Sequence, residues 1–332
     1  MIYVLGSLAY HDDTILKPLF NEFKTQGLSY SHSLIHGDGG LVHIPGKEKE
    51  VLWYWGRMLE EFMHLPLMEG DKIFIVDFWN PMVVQMKFWV ARMGLQNIKF
   101  YTIHHGSSQL PGDFASELEY KNWAHYAESS WAECYDAIFC GSEVITKLMA
   151  KKCSTGKYVT SYLPITSLLP IVRNAEYQKL ERVKNTAVMP LRMDPDKGVD
   201  DFIAYVDSNP NILFMAFANE DKWKMSNLLI QKPSTRDDLF KIEQQCEYVV
   251  SFAKQETFGY GVVEAVLNGC KPVLRGSETN CYRELFPNNT FGGPVDPAPL
   301  VQLKYYENLE VPNISWLVGY AEKLITAHLS IK

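Results

Sequence analysis

The sequence predicts an α/β protein built from two doubly wound domains in tandem, and three observations carry that expectation. Short apolar runs alternate with longer segments of helical period along most of the chain, the signature of parallel strands joined by crossover helices. The alternation lapses once near the middle and then resumes. At 332 residues the chain also exceeds the usual size of one domain,.

The first half reads as strand 2–8 (IYVLGSL), helix 14–27, strand 72–79 (KIFIVDFW), helix 81–94, strand 99–105 (KFYTIHH), strand 135–142 (YDAIFCGS) and helix 143–152. Trp53, Tyr54 and Trp55 fall in a helix and are expected to be mainly core. Residues 106–131 are too long for a simple connection and are read as a loop plus helix. HGDGG at 36–40 is a turn, since no clear helix follows it. Residues 162–185 carry two prolines and no clear strand, and they mark the hinge. The expected boundaries are 1–165 and 166–332.

The second half reads as strand 186–191 (TAVMPL), helix 197–208, strand 211–217, helix 236–246, strand 247–252 (EYVVSF), a helix after Glu256, strand 271–274 and a closing helix at 315–329, the one element that could return to the first domain. Two such domains are expected to face each other across a cleft lined by the C-terminal ends of their strands, where ligands of these folds bind.

Composition removes several classes of function. With 47% hydrophobic and 21% charged residues the chain is an ordinary folded protein,. A formal charge of −7 gives no global attraction for polyanions,. Six cysteines without a CxxC pair suggest free thiols rather than zinc ligands or a disulfide framework,. The N-terminus lacks a signal-peptide pattern, and no run approaches the roughly 20 apolar residues of a membrane span. A cytoplasmic location is therefore expected.

The richest stretch is 256-ETFGYGVVE-264, followed by NGCKPVL. A buried strand turns through glycines into an apolar helix, and a helix N-terminus offers unpaired N–H groups and positive dipole to an anion such as phosphate. Glu256 and Glu264 flank that position. With Glu264 taken as about six residues into the helix, it lies roughly 9 Å from the helix start, near the reach of a diphosphate. At 188–203, Arg192 ends a strand and Lys197-Gly198 opens the next helix, so two cations stand opposite the helix terminus as an anion clamp. Asp194-Pro-Asp196 between them is read as a turn with a helix cap, rather than a metal-holding D-x-D.

ETFGYGVVEA with NGCKPVL resembles the E-x7-E signature of retaining GT-B glycosyltransferases, especially glycosyltransferase family 4. The segments VMPLRMDPDKG, 135–149 and 101-YTIHHGS-107 are similar to further parts of that pattern. The resemblance is strongest from 186 to 275. It implies two Rossmann-like domains and a nucleotide-diphosphate sugar as donor, with no tightly bound cofactor and no required metal. Arg192 and Lys197 would grip the diphosphate, with Glu256 at the sugar and Glu264 at a ribose. Thr257, Phe258 and Gly259 would form the loop at the phosphates, Gly6 the reduced N-terminal glycine loop, and His105, or His104 beside it, would bond near the donor sugar or acceptor. A Gly-x-Gly expected after the second strand of the donor domain is replaced by FANEDKWKM at 217–225, which leaves the nucleotide unnamed. The implied acceptor is a saccharide or glycolipid. Hydroxymethylated cytosine in DNA is one alternative, and an epimerase or a non-catalytic nucleotide-sugar binder of the same fold is another.

Overall fold

A computed structural model describes residues 1–7, 15–35, 48–113, 116, 121–165, 180–218, 222–232, 236–276, 279–288, 290–291 and 310–331. The chain divides into two compact units, one of Met1–Ser167 with Leu317–Lys332 and one of Leu168–Trp316. The turn reading of HGDGG lies outside the described residues.

In the first unit, β1 (Ile2–Ser7), α1 (Lys17–Thr25), β2 (Tyr30–Ile35), α2 (Glu48–Met63), β3 (Lys72–Ile75), α3 (Val83–Arg92), β4 (Lys99–His104), α4 (Lys121–Cys134), β5 (Ala137–Cys140), α5 (Glu143–Lys152) and β6 (Tyr158–Thr160) follow one another. The six strands form one sheet in the order β2-β1-β3-β4-β5-β6, every pairing parallel. Parallel strands are covered on both faces, so β3 to β5 read as nearly continuous apolar runs,. The helices bury one stripe each. Tyr54, Met58 and Phe62 of α2 and Val83, Met86 and Val90 of α3 recur at three- and four-residue spacing and join the core beneath them,. The same rotation resolves the aromatic run, since Tyr54 is buried while Trp53 points to solvent. Helix ends follow local chemistry. Gly94 ends the α3 segment at φ 71°, and Ser142 accepts the backbone N–H of Ile145 as the N-cap of α5,.

The second unit contains β7 (Val183–Arg192), α6 (Val199–Ser208), β8 (Leu213–Phe217), β9 (Leu228–Gln231), α7 (Arg236–Gln245), β10 (Cys246–Ser251), α8 (Tyr260–Leu267), β11 (Lys271–Arg275), α9 (Tyr282–Leu285) and β12 (Thr290–Phe291). Its sheet runs β12-β11-β10-β7-β8-β9. That is the six-strand order of a dinucleotide-binding domain, whose winding reverses between the first and fourth strands, here β7 and β10. The crevice beyond the C-terminal ends of those two strands is the place where such a sheet binds ligands. β7 starts at Val183, three residues before the run at 186, because parallel pairing with Cys246 of β10 draws polar residues into it. Near its other end Pro190, which has no N–H to give, sits where the register with β8 shifts,.

The chain then returns to the first unit as α10 (Tyr320–Ser330). Lys72 at the start of β3 donates from Nζ to the carbonyls of Leu329 at 2.5 Å and Ile331 at 2.7 Å, satisfying the C-terminal end of that helix,. Among the described residues no helix is long and apolar enough to cross a membrane, and all six cysteines are free thiols.

Candidate active site

The end of β7 and the end of β10 are stitched together by backbone. Gly198 adopts φ 71°, and a Cβ there would overlap the carbonyl of Phe252. The Lys254 N–H donates to the Asp196 carbonyl at 3.1 Å. Gly198 is therefore required twice, by its left-handed conformation and by the closeness of the neighbouring strand end.

This stitching brings the predicted charges together. Lys197 Nζ donates to Glu256 Oε1 at 2.6 Å and stands 3.4 Å from Asp196 Oδ2. Arg192 lies 3.3 Å from Asp194 Oδ2 and 3.9 Å from Asp196 Oδ2. Burial works against the Lys197 ammonium, but the carboxylates of Glu256 and Asp196 outweigh it and hold its pKa above the ordinary lysine value,. Lys197 is thus a fixed positive charge at every working pH.

The Asp194-Pro-Asp196 segment is a turn, as its sequence suggests, but Asp194 makes no side-chain cap bond and Gly198 serves as the N-cap of α6. The physical reason is the pair of cations alongside, which engage both aspartates. Among the described residues no group of three His, Cys, Asp or Glu side chains is arranged to hold a metal.

From Glu256 the chain runs through Thr257 and Phe258, both buried, to Gly259 at φ 71°, the N-cap of α8. The ring of Tyr282 fills the space beside Gly259, with Cε1 only 2.5 Å from where a Cβ would stand. Gly261 lets the same helix approach Pro190 of β7, with a Cβ there only 3.3 Å from the proline ring. Glu264 is buried one turn further on. The helix begins at Tyr260, so Glu264 is four residues from its start and about 6 Å along the axis, closer than the 9 Å spacing expected from the sequence,.

A second layer, with no motif in the sequence, holds this loop from the β11 side. Asn280, fully buried, donates to the Ala253 carbonyl at 3.1 Å and accepts the Tyr282 N–H at 2.9 Å. The Cys281 N–H donates to the Glu256 carbonyl at 3.1 Å, and Ser251 donates to the Tyr282 hydroxyl at 3.2 Å. Glu256 is therefore placed by backbone on one side and by the Lys197 ion pair on the other.

Gly6 and His105 belong to the first unit. They meet around Val76, the residue after β3. A Cβ on Gly6 would stand 2.8 Å from Val76 Cγ2, and the His105 ring is hydrogen-bonded to Val76 backbone. Strand packing alone thus accounts for glycine at position 6. The loop after His105 is pinned by Glu128, a buried carboxylate on α4. It accepts from Trp79 Nε1 at 2.7 Å, from the Ser108 N–H at 2.7 Å and from the Ser107 hydroxyl at 2.5 Å. Burial raises its pKa and these three donors pull it back.

The two histidines differ in setting. His104 is sealed in the core against the rings of Phe78 and Tyr158, at centroid distances of 5.3 and 6.0 Å, whereas His105 keeps partial exposure. Burial, reinforced by His105 alongside, drives the pKa of His104 down to about 3, and burial takes His105 to about 4. A depressed histidine pKa favours the folded state above the unfolded value of roughly 6.5 and loses that contribution as pH falls towards the folded value. Thermal melts should therefore show the first unit losing stability between about pH 6.5 and 3,, and His104→Leu should reduce that dependence to the part that His105 contributes. An unchanged pH profile in the variant would remove His104 as its source.

No known family profile matches the sequence, and no curated protein matches it. Solved structures do match in fold. The E. coli trehalose-6-phosphate structure bound with UDP-2-fluoro glucose aligns over 100% of both chains at 11% identity, with a TM-score of 0.64. Sucrose-phosphate synthase from Thermosynechococcus elongatus aligns over 98% of this chain and 94% of its own at 12% identity, TM-score 0.67. A UDP-forming α,α-trehalose-phosphate synthase from Burkholderia xenovorans aligns over 99% and 94% at 10% identity, TM-score 0.61. At such identities the likeness speaks for architecture, and with the two parallel sheets it gives the chain an α/β fold of two Rossmann-like domains, the GT-B class.

Proposed function

We propose that this protein is a glycosyltransferase that moves a sugar from a nucleotide-diphosphate donor to an acceptor hydroxyl with retention of configuration. The observation that carries the reading is the convergence of Arg192, Lys197 and Glu256 at the switch point of the second sheet, beside the N-terminus of α8. In this reading the diphosphate lies against the two cations and the first amides of α8. Negative charge grows on the leaving nucleoside diphosphate as the glycosidic bond breaks, and preorganised cations stabilise it. The loop Thr257-Phe258-Gly259 shapes the phosphate site. Glu256 accepts from sugar hydroxyls, and Glu264 accepts from a ribose. The first unit takes the acceptor side, where His105 is neutral at physiological pH and can give or take a hydrogen bond near the donor sugar or the incoming hydroxyl.

A saccharide or glycolipid acceptor is preferred because the solved structures of similar fold include sugar-phosphate synthases. The deciding assay offers a panel of UDP-, GDP- and ADP-sugars with free sugars, glycans and hydroxymethylcytosine DNA, and follows acceptor-dependent release of nucleoside diphosphate. Release without any acceptor, accompanied by an isomerised sugar, would replace transfer with epimerisation.

The two glutamates should separate in calorimetry. Glu264→Ala is expected to weaken free nucleoside diphosphate and intact donor alike, whereas Glu256→Ala should weaken the sugar-bearing donor more than the free diphosphate. Equal losses in both variants would reject the assignment.

A further inference from the structure

We propose that Asp194 and Asp196 act as an internal competitor for the donor diphosphate, occupying the two cations and limiting the affinity of the leaving nucleoside diphosphate. This rests on the donor-site reading above. Within the cluster, Arg192 and Lys197 supply two positive charges, while Asp194, Asp196 and Glu256 supply three negative ones. Glu256 has an assigned partner in Lys197 at 2.6 Å and is fixed by the Cys281 amide on its carbonyl. The aspartates are held differently. Asp194 lies in the turn, about half exposed, with its carboxylate on Arg192. Asp196 spans both cations, at 3.9 Å from Arg192 and 3.4 Å from Lys197.

A carboxylate and a phosphate compete for the same guanidinium and ammonium protons. An incoming diphosphate must therefore take the cations from the aspartates and then lie close to two like charges. On departure the aspartates regain the cations, so the exchange costs less than stripping bare charges into water. The arrangement keeps both cations aimed and charged between turnovers. It also keeps the diphosphate product from being held too tightly, which matters wherever product release limits turnover.

The test is calorimetry with inorganic pyrophosphate, UDP, GDP and ADP on three forms of the full chain: wild type, the Asp194→Asn/Asp196→Asn double variant, and Arg192→Ala. Asparagine keeps the shape and removes the charge. The double variant should bind the preferred diphosphate roughly tenfold tighter, the scale expected for removing like charges a few ångströms away in a partly solvated site. It should also show slower release in a stopped-flow chase. Unchanged or weaker binding in the double variant, with Arg192→Ala still weaker than wild type, overturns the competitor role and leaves the donor site standing. If no diphosphate binds any form, or Arg192→Ala binds as well as wild type, the donor-site reading fails and this inference falls with it.

Discussion

Replacing Arg192 by alanine should lower turnover by roughly 100-fold or more while leaving the fold intact. The size follows from the job assigned to it, since removing one preorganised stabiliser of transition-state charge typically costs two to three orders of magnitude. The intact fold follows from its setting. Arg192 is 55% exposed and its aspartate partners are reached at 3.3 and 3.9 Å, so its ion pairs contribute little to stability. Lys197→Ala should lose activity on the same scale but also lose some stability, because Glu256 and Asp196 are then left without their shared cation,. Steady-state turnover alongside melting temperature separates the two effects. Normal turnover in a folded Arg192→Ala protein removes Arg192 from the site.

The second large effect is expected from Gly198→Ala, which should destabilise the second unit by about 2–4 kcal/mol. Left-handed backbone costs an alanine roughly 1 kcal/mol, and forcing atoms into packed backbone adds 1–3 kcal/mol. The added methyl would meet the main-chain carbonyl of Phe252, the buried residue that follows β10, which cannot swing aside as a side chain would. Gly27 supplies the control, with φ 66° and nothing within 4 Å of its missing Cβ. Gly27→Ala should therefore show the strain alone. Thermal melts in which the two variants fall equally would mean that the loop around Gly198 yields.

The architecture was legible because parallel strands covered on both faces must be predominantly apolar, and KIFI, KFYTI, AIFC and EYVVS all are,. The strands the sequence reading omitted are those that escape this rule. β2 carries three polar residues in a row, Ser31, His32 and Ser33, while β9 has four residues, β6 three and β12 two. Their pairing is supplied by a neighbouring strand rather than by their own composition. At the site, Arg192, Lys197 and Glu256 could be picked out because each sits at a junction between strand and helix. Asp196 carried a misleading sign, since an acid ahead of a helix ordinarily caps it, and only the fold reveals two cations beside it. Asn280, Tyr282 and Glu128 left no trace, because their partners are backbone groups or residues 20 to 50 positions away. Nothing in a local window records such bonds.

The return of α10 to the first unit has a consequence for the order in which the protein can be made. A ribosome delivers residues 1 to 167 first, yet the ammonium of Lys72 finds its carbonyl acceptors only at Leu329 and Ile331, more than 250 positions later. The second unit is contiguous in the chain and can close as soon as its last strand emerges. The first unit stays open at one seam until residues 320–330 have been made, with the surface that α10 covers exposed throughout. Of the two units, the one begun first is therefore finished last, and nascent chains arrested before residue 320 should present that seam to chaperones and proteases while their second unit already resists both.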